Sequence, residues 1–149
     1  SCASKNQRTL TTLRILCIQL HNLYFRFVLY KFRQLPWLLQ GTKLPLVLLG
    51  GANRTVARKE LMRLGRKDLE NIHGVSMSAY SFIETYTEWL GMDRKERADI
   101  LGPEAERADI IIAGLSPIMF LIEYLQTPEI IFSESGVREG VLYSMLKRK

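Results

Sequence analysis

Cysteine is nearly absent: there are two, Cys2 and Cys17, in 149 residues. No Cys-x-x-Cys pair and no Cys/His run at ligand spacing occurs, which excludes the common structural zinc sites. Two thiols cannot build a disulfide framework either, so a reducing, cytoplasmic compartment is expected. Histidine is equally scarce, and neither His21 nor His73 has a metal partner at i+3 or i+4. Long hydrophobic runs are also missing. The most apolar stretch, Ile15 to Leu29, is broken by Gln19, His21, Asn22 and Arg26, and it falls short of the ~20 apolar residues that cross a bilayer. No secretory leader with a small-residue cleavage site is recognisable. The most uneven shortage is of acid. Residues 1–59 hold ten Lys/Arg and no Asp or Glu, and the first carboxylate is Glu60.

What is present fits one globular domain. Hydrophobic residues make up 47% and charged residues 24%, ordinary values for a chain with a packed core. The net charge of +6 is carried by the first 59 residues, because the remaining ninety set eleven bases against fifteen acids. A basic end of this kind suits an anionic partner: polyphosphate, nucleotide, nucleic acid or an acidic membrane surface. It suits equally well an acidic domain lying outside these residues.

The punctuation of the chain predicts its elements. Residues 1–9 are polar. Leu10–Phe32 runs without Gly or Pro, with Leu13, Cys17, Leu20, Tyr24 and Phe27 near helical spacing, and predicts one long basic amphipathic helix. Leu35-Pro36 ends it. The apolar run from Leu44 to Leu49, followed by Gly50-Gly51, predicts a buried strand of a parallel sheet. A helix is expected over Asn53–Leu64 and closes at Gly65. His73-Gly74 marks a turn, and Ser76-Met77-Ser78 opens a helix to Leu90. Asp93 caps a short helix to Ile100. Gly102-Pro103 stops that helix, and Glu104–Leu125 reads as one further helix, buried on most sides. Glu129–Ser133 predicts a second strand. A terminal helix follows Gly136 to Leu146, with the basic tail Lys147-Arg148-Lys149 at its negative dipole end. Two strands are too few for an α/β sheet, so the strands must pair elsewhere or the domain belongs to something larger. Residues 1–34 form a basic helical region and residues 35–149 the domain proper.

Two segments bear on chemistry. Gly50-Gly51-Ala52-Asn53-Arg54 joins a strand to a helix. Its glycines permit close backbone approach, and the helix N-terminus offers free N–H groups and a positive dipole end to an anion. Arg54 and Arg58, one turn apart, can add guanidinium contacts to a phosphate chain. Strand-Gly-Gly-helix is also an ordinary tight turn. The second segment, Ser133 to Gly140, also follows a strand. Gly136 would permit positive φ, Glu139 suits the first helical turn, Gly140 suggests close packing, and Arg138 is the candidate ligand contact. Glu60, Glu84 and Glu88 lie on expected helices. Glu84 and Glu88 share a face that is most simply solvated. No catalytic residue and no metal ligand stands out.

Taken together these segments resemble the C-terminal region of the Ppx/GppA exopolyphosphatase and guanosine-pentaphosphate phosphatase family. Leu44-Pro45-Leu46-Val47 into Gly50-Gly51-Ala52-Asn53-Arg54 is similar to that family's strand and Gly-Gly-x-x-Arg element. His73-Gly74, then Arg94 to Gly102, then Arg107-Ala108-Asp109-Ile110-Ile111 with Ala113-Gly114, follow its later motifs. Gly136-Val137-Arg138-Glu139-Gly140 resembles its Gly-Leu-Arg-Glu-Gly ending. Asn53, where a small residue is common, and Glu134-Ser135 depart from it. The resemblance implies a helix-rich partial ribonuclease-H-like α/β domain of the actin, Hsp70 and sugar-kinase type, with a small parallel sheet. It implies a bacterial, cytoplasmic hydrolase of phosphoanhydrides, acting on polyphosphate or pppGpp with Mg²⁺. Gly50, Gly51, Asn53, Arg54 and Arg138 would touch phosphate. The family's catalytic glutamate and its Asp-x-Gly-Gly-Gly-Ser phosphate loop have no counterpart here, so the chain is expected to be inactive alone. Its expected partner is the missing N-terminal half or a second copy. Neither specific nucleic-acid binding nor a membrane span is expected. The alternative is a module without catalysis that binds polyphosphate or nucleotide, or that recruits a partner through its first helix.

Overall fold

A computed structural model of the chain describes residues 22–147. Contacts divide the chain into two units, Ser1–Leu38 and Leu39–Lys149. In the first unit, residues 22–33 are helical (α1); the part of the expected helix over residues 10–21 lies outside the described residues, as do Cys2, Cys17 and the last two residues. Lys31 Nζ stands 5.5 Å from the Phe27 ring centroid and 5.9 Å from that of Tyr30, a cation–π arrangement that keeps the charge on the helix surface. A 3₁₀ helix, Pro36–Gly41, follows.

The second unit runs β1 (Leu46–Leu48), α2 (Gly51–Arg63), β2 (Ser76–Ser78), α3 (Ala79–Gly91), α4 (Arg94–Leu101), a 3₁₀ segment (Gly102–Asp109), α5 (Ile111–Leu125), β3 (Glu129–Phe132) and α6 (Val137–Leu146). The fold is helix-rich α/β with a small sheet, as expected, but the sheet is mixed and has three strands in the order β1-β3-β2. β1 and β3 are parallel, with Leu46, Val47 and Leu48 opposite Ile130, Ile131 and Phe132. β2 is antiparallel to β3, Met77 facing Ile130. Ser76-Met77-Ser78 was expected to open a helix, and this is a correction. Only Met77 of the three is buried, so the triplet alternates as a strand does. Ser78 then serves the helix as well, its Oγ accepting from the Ser81 N–H at 3.0 Å.

Alternation leaves the sheet with one dry face. Leu48, Met77, Ile130 and Phe132 are buried, while Val47, Ser76 and Ser78 on the other face are exposed. The core forms between the dry face and α2, α3 and α5, through Val56, Ala57, Leu61, Phe82, Tyr86, Trp89, Ile111, Leu115 and Ile122. Burial of each large side chain there contributes about 2 kcal/mol. The Tyr86 hydroxyl and Ser116 Oγ bond at 2.8 Å inside this layer, whereas the buried Trp89 Nε1 has no hydrogen-bond partner among the described residues.

The expected single helix Glu104–Leu125 is two pieces. Gly102 takes φ 53°, residues to Asp109 wind as 3₁₀, and α5 begins only at Ile111. α5 is enclosed on most sides, with only Ala113, Gly114 and Glu123 exposed along it, whereas Ile110 just before its start is 62% exposed. Among the described residues no single helix is long and apolar enough to cross a membrane; Arg94–Asp109 with Ile111–Leu125 has the length only as a pair bent by 90°. α6 buries none of its side chains. Gly140 has open space around it, so the expected close packing there is absent. Gly136 sits at φ −124°, an extended conformation open to any residue, so the positive φ expected of it is absent too.

Candidate anion-binding site

Because β1 and β3 are parallel neighbours, their C-terminal ends emerge together. The Ser133 N–H donates to the Leu48 carbonyl at 3.0 Å, carrying the pairing one residue past the strands. The two glycine turns, Gly50-Gly51 and Gly136, therefore lie on one edge of the sheet. They differ in what they offer.

The first turn is open. Gly50 takes φ 104° and ψ 172°, a conformation essentially restricted to glycine, and no side chain caps α2. The first N–H groups of α2 have no intrahelical acceptor and face the edge with the positive end of the helix dipole. Asn53 is 7% exposed. Its Nδ2 donates to the Leu49 carbonyl at 2.6 Å, which fixes the chain entering the turn, while Oδ1 is buried without a partner. Arg54 is exposed.

Sequence reading did not place Arg107 at this turn. Arg107, on the 3₁₀ segment, lays its guanidinium on Gly51, so that a Cβ there would stand 2.6 Å from Nη1. Gly51 is thus glycine for close approach. Among the described residues the Arg107 guanidinium has no hydrogen bond or ion pair, and it is half-buried. The start of α5, which no side chain caps, also packs here: a Cβ on Gly114 would stand 3.2 Å from that of Ala52. The Arg-Ala-Asp-Ile-Ile motif gave the only signal available, and it carried no distance to Gly51.

The second turn is occupied by its own chain. The Gly136 N–H donates to Glu139 Oε2 at 2.6 Å. That bond and the Glu139 N–H hold the Glu139 carboxyl below the usual carboxylate range, with the charges of Arg138 and Arg54 adding to the effect. Arg138 is exposed. The structure brings Gly50, Gly51, Asn53, Arg54 and Arg138 to one edge. Arg58 does not join them: it is held by Glu104 and by Glu70, the latter at 2.9 Å.

The Ppx/GppA phosphatase family model matches residues 25–149. The chain belongs to that family. It is similar to the crystal structure of an Aquifex aeolicus Ppx/GppA family member, with 25% identity and a TM-score of 0.68, covering 85% of this chain and 40% of that one. It is also similar to an exopolyphosphatase from Cytophaga hutchinsonii, with 25% identity and a TM-score of 0.70, covering 88% of this chain and 41% of that one. The chain thus spans about two fifths of the length of these Ppx/GppA structures. No curated protein matches it closely in sequence.

Magnesium chemistry, which this family suggests, finds no seat here. Among the described residues no three His, Cys, Asp or Glu side chains converge. The carboxylates near the turns are committed, Glu104 to Thr55 and Arg58, and Glu139 to Gly136. Glu60, 4% exposed, is gripped by Arg63 through bonds of 2.7 and 2.6 Å, and Glu88 by Lys59 at 2.5 Å. Glu134 at the same edge accepts from the Ile72 N–H at 3.3 Å, and Glu106, beside Arg107, is exposed.

Proposed function

We propose that this chain supplies one wall of a phosphoanhydride-hydrolase cleft, gripping the phosphate chain of inorganic polyphosphate or of pppGpp. The observation that carries the reading is the unpaired Arg107 guanidinium lying on Gly51 at an uncapped helix N-terminus. A phosphate oxygen there would accept from the first N–H groups of α2 and from Arg107, with Arg54 and Arg138 contributing long-range attraction. Asn53 shapes the turn through Leu49 and leaves Oδ1 for a ligand or water donor. Water activation belongs to carboxylates and Mg²⁺ supplied from elsewhere in a complete enzyme, so this chain alone binds without turnover. Its cellular place in this reading is the cytoplasm.

Binding and turnover are tested separately. Titration of inorganic tripolyphosphate at increasing salt should show affinity that falls with ionic strength. Phosphate release from long-chain polyphosphate with Mg²⁺ should remain at background. Salt-insensitive or absent binding removes the reading; robust release removes the claim of inactivity.

A second reading has its own observation. α6 exposes Val137 (81%), Leu142 (60%), Tyr143 (67%) and Leu146 (74%) and buries none of its side chains, and a cluster of exposed apolar side chains marks an interaction surface. We infer that the rest of such an enzyme, or a second copy, covers it, and that residues 1–34 form a basic helical region distinct from 35–149. Light scattering that finds a monomer at all concentrations argues against self-association through α6.

A further inference from the structure

The 3₁₀ segment touches α2 twice. Glu104, where the segment kinks (φ −102°, ψ 20°), and Arg107 are three residues apart, and both side chains reach α2. Gly51 and Thr55 are four apart and share a face of α2, with Thr55 Oγ1 standing 3.2 Å from the Gly51 carbonyl oxygen. Arg107 rests on the first turn at Gly51, and Glu104 reaches the second, accepting from Thr55 Oγ1 through one oxygen and from Arg58 Nη1 through the other. Arg58 is itself anchored by Glu70 at 2.9 Å. The far end of the segment is held as firmly. Arg97 Nε donates to the carbonyl of Ala108, next to Arg107, at 2.9 Å, and Nη1 donates to the carbonyls of Trp89 and Met92. Arg107, which has no side-chain partner among the described residues, thus hangs between two fixed points.

We propose that Glu104 is a positioning residue for the anion site: by binding Thr55 and Arg58 it fixes the register of the 3₁₀ segment along α2 and so sets Arg107 over the free N–H groups. This rests on the anion-site reading above. The sign of its effect is opposite to that of simple electrostatics. Glu104 is a carboxylate within a few residues of the site, so as a charge it repels a phosphate, and its removal should tighten binding. As a positioning group its loss loosens Arg107 and weakens binding.

The test is calorimetric titration of the full chain with inorganic tripolyphosphate. Glu104→Ala should weaken binding about fivefold, while Glu104→Gln, whose carbonyl oxygen can still accept from Arg58 while its amide donates to Thr55 Oγ1, should stay within twofold of the parent. In an Arg107→Ala background, Glu104→Ala should have no further effect, because there is nothing left to position. If Glu104→Ala does not fold, Thr55→Val replaces it. Val keeps the side-chain shape without the hydroxyl, and about a twofold loss is expected. Binding by Glu104→Ala as tight as the parent's or tighter, with Arg107→Ala still weakened, overturns the proposal. So does a loss that persists at full size in the Arg107→Ala background. An Arg107→Ala chain that binds as the parent does contradicts the anion-site reading instead, so the two failures are distinguishable.

Discussion

Two glycine turns stand on the same sheet edge, each between a parallel strand and a helix, and they have become different things. At Gly50 the backbone takes φ 104°, the helix start is uncapped, and a guanidinium from another segment lies against the next residue. At Gly136 the backbone is extended and the chain satisfies itself, Glu139 filling the place an anion would take. Parallel pairing puts both turns at the edge, and in the proposed reading the local carboxylate decides which of them is open to an anion.

The comparison can be broken first through stability. Gly50→Ala forces a Cβ into a region that side chains avoid and should cost about 2 kcal/mol. Gly136→Ala, where the added carbon would meet Glu139 Oε2 at an ordinary 3.5 Å, should change stability by less than about 0.5 kcal/mol. Urea unfolding of both decides it, and equal costs would erase the distinction. Affinity comes next. Arg107→Ala should weaken tripolyphosphate binding about tenfold, or about 1.4 kcal/mol, as read by calorimetry. Gly51→Ala should approach that loss with little change in unfolding midpoint, because the new Cβ displaces a flexible guanidinium tip rather than backbone. Arg138→Ala, at the self-capped turn, should cost no more than about twofold, in line with an exposed charge.

The smallest effect is a pH dependence at α6. The folded carboxyl of Glu139 is depressed, so its contribution is present above the ordinary carboxylate range near pH 4.3. It is lost as pH falls through the lower folded value. Glu139→Gln should therefore increase amide exchange in α6 at neutral pH, with the difference from the parent shrinking under acid. A difference that grows under acid would reverse the assigned sign.

Much of this was legible before the structure. β1, β3, α2 and α6 follow from apolar runs and glycine punctuation, and Asp93 caps α4 as a capping residue should, with Glu96 completing the box. β2 was hidden because three residues, two of them serine, carry too little pattern, and its partner lies fifty residues away in sequence. The break before α5 was hidden because Ala108-Asp109-Ile110-Ile111 has helical composition on both sides of it. The site divides in the same manner. Gly50 and Gly51 were visible as local signals. Arg107 was not, since its place depends on Glu104, Thr55 and Arg97 meeting across segments. Arg58 looked like a ligand residue only while its two glutamates were unseen.

The central claim is that phosphate binds at the start of α2 and not at the start of α6, and amide shifts test it most directly. Inorganic tripolyphosphate titrated into ¹⁵N-labelled chain should move the Gly51, Ala52 and Asn53 amides along one saturation curve and leave Gly136 and Val137 nearly still. Movement concentrated at Gly136 and Val137, or none at either turn, would contradict it.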